Sequence, residues 1–188
     1  MADPTITIGP TSTAEITIGA SQLFLAPYGT AEPTMTGAGT DFASPFFAPG
    51  LTLDGIEWDY TPTWKDVVVD EIMGPVKKKL ISHKLIVSCK LAQTSLRNLA
   101  VAIPAATFDE ATGTLTVGTT DAPEWVLGWI GPASNGKTRE CLVSRVVSIA
   151  AVKAHYQRKD VVSYACQFEA LGDPSKLAPA DLATYKDF

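Results

Sequence analysis

The sequence predicts a mainly β single domain with one α-helix and long irregular segments. Short runs in which apolar and polar residues alternate recur along the chain, helical periodicity occurs in one stretch only, and proline and glycine punctuate the rest. At 188 residues and 20.0 kDa the chain is long enough to bury a substantial core. With 46% hydrophobic and 19% charged residues it reads as folded, with more surface to hide than a monomer needs.

The elements follow in order. TITIGP (Thr5 to Pro10) and EITIGA (Glu15 to Ala20) are near-copies in which Ile alternates with Thr up to a glycine, as in short strands with one buried face. Two copies are too few for a solenoid. QLFLAPYGT is a brief strand ended by Pro27 and Gly29. Ala26 to Gly50 then lacks periodicity, and a loop of that length in a compact domain tends to be functional, mobile or ordered by a partner. Its aromatics Phe42, Phe46 and Phe47 either tuck onto the parent core or pack on a second subunit.

Strand signals then crowd together in LTLDGIEWDY, WKDVVVDEIM, KLISHKLIVSCKLAQ, GTLTVGT, EWVLGWIG, ECLVSRVVSIAAVKAHY and VVSYACQFEAL. Leu85, Val87, Cys89 and Leu91 alternate with polar residues except at Ile86, which suggests cover on both faces there. The polar stretch Tyr156 to Asp160 makes the last two runs a hairpin, and ATGTLTVGTTD reads as a small hairpin or edge element. In AQTSLRNLAVAIP, Thr94 or Ser95 can cap a helix. Leu96, Leu99, Ala100 and Ile103 would form its apolar stripe, and Pro104 would stop it. One such helix among strands should lie on a sheet face. The proline-punctuated tail, about 172–188, reads as an extended arm or a frayed end, and the N-terminus as a second arm of the same 1–188 domain.

Charge is uneven. From Met1 to Trp64 there is no Lys or Arg against seven acids, and the net charge is −5. Such a surface repels polyanions and argues against a nucleic-acid-gripping domain. Lys77, Lys78 and Lys79 are the basic exception. Adjacent lysines in a strand would point to both faces, so they fit an exposed hairpin end or edge, where lysine discourages stray pairing, or a contact with acidic groups of a second subunit. They lack the interleaved aromatics of a nucleic-acid patch.

Cys89, Cys141 and Cys166 are odd in number and widely spaced, which suggests neither a disulfide framework nor a zinc site, and places the chain in a reducing compartment. The N-terminus lacks the basic and apolar regions of a secretory signal, and no apolar stretch approaches membrane-spanning length. The expectation is a soluble chain made in the cytoplasm. His83 and His155 have no sequence partner, no nucleophile, phosphate or metalloprotease motif occurs, and Asp70-Glu71 and Asp109-Glu110 do not read as dyads. No catalytic residue, cofactor or metal is expected. Trp125 and Trp129 should share one strand face, and all four tryptophans (with Trp58 and Trp64) serve the core first and an interface second.

Three stretches carry a resemblance. ITIGASQLFLAPYGTAEP (Ile16 to Pro33) leads a strand into an A-P-x-G-T turn. Asp54 to Ile103 holds two long strands around a G-P-V segment, then a strand running into an L-x-x-L helix. VSYACQFEALGDPSK (Val162 to Lys176) closes with a strand and a D-P stop. Together they resemble the tail tube proteins of long-tailed bacteriophages, most closely those of siphophages, over most of the chain. The resemblance implies a β-sandwich or barrel-like fold with a flanking helix. It also implies six copies in a ring, and rings stacked into a hollow virion tail tube made in the host bacterial cytoplasm. DNA would pass through the lumen without specific binding. Implied partners are the chain itself, a tape measure protein, a tail terminator and baseplate or tail-tip proteins. Candidate contacts between subunits are then Phe42, Phe46 and Phe47, the segment Met73, Gly74, Pro75, Val76, Lys77, Lys78 and Lys79, and the two termini. A tail terminator, a baseplate hub ring, a secretion-tube component and a ligand-binding β-sandwich with a site around Trp125 and Trp129 are the alternatives.

Overall fold

The computed structural model describes residues 19–37, 41–69, 73–118, 121–152, 162–175 and 181–188. The alternating parts of both N-terminal copies, Asp70 and Glu71, His155, the turn Tyr156 to Asp160 and residues 176–180 of the tail lie outside the described residues. Among those described, the strands are β1 (Gln22–Pro27), β2 (Thr52–Val68), β3 (Pro75–Leu91), β4 (Ala106–Asp109), β5 (Thr114–Val117), β6 (Glu124–Pro132), β7 (Thr138–Ser148), β8 (Tyr164–Ala170) and β9 (Thr184–Asp187), with the helix α1 at Leu96–Ala102.

The mainly β expectation holds. Seven strands form one antiparallel sheet in the order β1-β6-β7-β8-β3-β2, with β9 added to β7 beside β8, while β4 and β5 make a separate two-stranded sheet. Among the described residues the sheet does not close as a barrel, because the end strands β1 and β2 are not hydrogen-bonded to each other. The sheet is nevertheless strongly rolled. Tyr185 of β9 touches both Trp58 of β2 and Trp129 of β6, with ring centroids 5.7 and 5.8 Å apart.

The rolled face holds the main core, built from alternate residues of β1, β6, β7, β8 and β3: Leu23 and Leu25, Leu127 and Trp129, Cys141 and Val143, Tyr164 and Phe168, Leu85 and Val87. Trp125 packs at its margin on the same side as Trp129, as the spacing of four predicts. On the opposite face of β1, β6 and β7 the long loop lays down a second apolar layer. Phe42 stacks on Phe24 at 4.8 Å and meets the edge of Phe46 at 5.3 Å. Covered on both sides, Leu23 to Ala26 are all buried, which is why QLFLAP does not alternate. Gly128 is required here, because a methyl group at that position would overlap the Phe42 ring.

The helix caps as the sequence predicts: Ser95 Oγ accepts the Asn98 N–H at 3.2 Å. Its buried face is different. Asn98, Ala100, Val101 and Ala102 turn inward, whereas Leu96 is exposed. Asn98 is drawn in because its Nδ2 donates to the carbonyls of Pro49 at 2.6 Å and Gln93 at 2.8 Å, tying the loop end to the helix. The tail is extended but not frayed over its last turn of sequence, since Thr184–Asp187 pairs with Arg139–Leu142 and Arg139 clamps Asp187 with bonds of 2.6 and 2.7 Å.

Candidate functional site

The runs LTLDGIEWDY and WKDVV are one strand, passing through Pro62. Proline has no N–H for a ladder, and β2 tolerates it because it is the sheet edge. β2 and β3 are each 17 residues long. Among the described residues β8 covers β3 only from Ile86 to Leu91, and from Pro75 to Leu85 β2 is the one hydrogen-bonded neighbour of β3. The outer halves of the two strands therefore project as a two-stranded ribbon, a form that is marginal in water unless something packs on it.

Register fixes its faces. Trp58 opposes Val87, Tyr60 opposes Leu85 and Pro62 opposes His83, all on the side that continues the core. A bulge at Ile81 then resets the pairing so that Trp64 opposes Leu80 and Asp66 opposes Lys78 on that same side. The opposite side carries Asp59, Thr61, Thr63 and Lys65 against Ile86, Lys84, Ser82 and Lys79. The core-side stripe thus runs out past the core. Trp58 is 52% exposed and Trp64 54%, and Leu80 and Ile81 are exposed beyond them. A cleft of about 290 Å³ opens at the root of this stripe, between Trp58, Tyr60 and His83 and the C-terminal residues Leu182 and Tyr185.

The contact candidates separate into two groups. Met73, Gly74, Pro75, Val76, Lys77, Lys78 and Lys79 are all exposed on the ribbon, with Pro75 opening β3 where a missing N–H does no harm. The lysines lie within a strand after all, and they fit there because both faces of the ribbon meet solvent in the single chain. Lys78 reaches Asp66 at 3.7 Å, an exposed pair of small energetic weight. The phenylalanines pack on their own chain to different degrees. Phe42 is buried, Phe46 and Phe47 are half-buried, and Phe47 bridges β1 through Leu25 with backbone bonds of 2.9 and 2.8 Å while Arg97 sits 3.8 Å over its ring. Phe42 leaves no surface for a second subunit.

For Trp58 and Trp64 the core role that the sequence puts first does not hold, since both are more than half exposed. Tyr60, Leu80 and Ile81 carry no sequence signal as contacts, although the spacing of Trp58, Tyr60 and Trp64 places them on one side of a strand. What hid them was the absence of any sequence signal for where the covering strand β8 stops.

Two further groups of titratable side chains lie elsewhere in the fold. Arg145 holds Glu124 with bonds of 2.8 and 2.6 Å under the Tyr28 ring. Glu140 is fully buried on β7, with the Gly37 N–H and the Asp41 carboxylate beside its own carboxyl. Burial first, and the neighbouring Asp41 carboxylate second, push it above the usual carboxyl range, against the pull of the Gly37 N–H and Lys186. Partial burial acts on Asp41 in the same direction, but its bonds from Thr36 and Gly37 prevail and hold it low. Among the described residues no three His, Cys, Asp or Glu side chains gather as a metal site, and no helix is long and apolar enough to cross a membrane. No known family model matches the sequence, and no curated protein matches it.

Proposed function

We propose that this chain is a structural subunit that assembles with copies of itself into hexameric rings stacked as a phage-type tail tube, a conduit for DNA. The projecting ribbon, with its core-side stripe of Trp58, Tyr60, Trp64 and Leu80 left in water, is the observation that carries this reading. A contiguous apolar stripe on a two-stranded ribbon marks a surface that a partner covers. Among the described residues no strand pairs with the two edges of the ribbon, and a repeated neighbour of the same kind satisfies their backbone groups by adding strands. In this reading the continuous barrel is a property of the ring, and the open sheet of one chain is its repeating part. The acidic excess suits a conduit that DNA slides through without gripping.

The test is negative-stain electron microscopy of the concentrated protein alongside sedimentation velocity. Stacked rings of one diameter are the expected result. A single closed ring that never stacks favours a terminator-like role, and a compact monomer with neither rings nor tubes removes the support for self-assembly.

A further inference from the structure

Cys89 of β3 and Cys166 of β8 are direct cross-strand partners in the antiparallel register. Both thiols are free, both face the main core, and they are 6% and 2% exposed. Directly opposed residues in an antiparallel pair have Cα atoms about 5.5 or about 4.5 Å apart, according to the ladder position. Disulfides span about 4.4 to 6.8 Å, so either ladder position lies within reach of a bond. Cys141 is differently placed, with Trp129 and Tyr185 as its cross-strand neighbours.

We propose that Cys89 and Cys166 form an oxidative cross-link site that locks the root of the long hairpin to β8. The pair lies inside the stretch Ile86 to Leu91 that anchors β3, and Cys89 also faces Ile56 of β2, so a bond there fastens the whole ribbon to the sheet. The oxidant is a small peroxide, and a cleft of about 370 Å³ beside the pair is lined by both cysteines together with Asp54, Ser88, Lys90 and Gln167. Cys89, the more exposed, attacks one peroxide oxygen. The O–O bond breaks, a first water leaves and Cys89 becomes a sulfenic acid. Cys166 then attacks the Cys89 sulfur, the S–O bond breaks and a second water leaves. The two thiol protons end in the waters, and the two electrons reduce the peroxide. The neighbouring Cys89 thiol, and then burial, push Cys166 well above the usual thiol range, which slows its attack. This site depends on the β3–β8 register and not on the assembly reading.

Incubation of the folded protein with hydrogen peroxide, followed by alkylation and non-reducing peptide mapping, tests it. The expected product has lost two hydrogens per chain, joins the Cys89 and Cys166 peptides, reverts with dithiothreitol and melts at a higher temperature than the reduced protein. A Cys141→Ala variant should give the same link, and Cys166→Ala should lose it. Unmodified thiols after peroxide, a link through Cys141, or overoxidation of Cys89 without a link each overturns the proposal.

Discussion

Trp64 and Leu80 face each other across the β2–β3 ribbon, on the side that continues the core but beyond the last strand that covers it. Each large apolar side chain that a partner buries there contributes about 1.5–3 kcal/mol to association. Trp64→Glu should therefore abolish rings and tubes in electron micrographs. Because Trp64 is more than half exposed, the fold should lose no more than about 0.5 kcal/mol in urea titration. Normal tubes from this variant would show that the stripe is not the contact.

Lys77 and Lys79 test the other side of the same ribbon, where they oppose Val67 and Lys65. Both are exposed, so Lys77→Glu with Lys79→Glu should leave the melting temperature of the monomer unchanged. The pair of changes should impair tube assembly, read as a loss of sedimenting polymer. Full assembly would assign these lysines to solvent.

Much of the fold can be read in the sequence because burial on one side writes alternation into a strand. Leu85 to Leu91 and Tyr164 to Phe168 obey that rule, and Ser95 and Pro104 bound the helix as capping chemistry requires. The illegible parts depend on distant partners. Asn98 is buried by a carbonyl of the long loop, Phe42 by a glycine on β6, and Cys89 meets Cys166 only through a register that no local pattern specifies. The stripe from Trp58 to Trp64 is written in the sequence as alternation, but alternation alone does not say whether a strand's own chain or a neighbour supplies the cover.

Gly128 and Phe42 give a test of the loop layer that owes nothing to assembly. Gly128→Ala drives a methyl into the Phe42 ring and should cost about 1–3 kcal/mol by overpacking. Phe42→Ala opens a cavity against Phe24 and should cost about 3–5 kcal/mol. Combining the two should cost less than their sum, because the methyl then enters the space the ring leaves. Strict additivity in urea denaturation would mean that the loop does not rest on β6.

Glu140 and Asp41 set opposite pH dependences at the clasp between β7, the loop and Lys186 of β9. Glu140 has a raised folded value, so it binds its proton more tightly in the folded chain than in the unfolded one. Its contribution is fully present below the ordinary glutamate value and is lost as pH rises through the raised one. Asp41 is held low, so its contribution is present above the ordinary aspartate value and is lost as pH falls through the depressed one. The melting temperature should therefore decline on both sides of a maximum, with the alkaline-side decline belonging to Glu140. Glu140→Gln keeps the shape and removes the titration. It should flatten that decline and leave most of the acid side in place, because the Thr36 and Gly37 bonds to Asp41 remain and the new amide can still donate to it. An unchanged decline above the carboxylate range in the Gln variant would mean that another group titrates there.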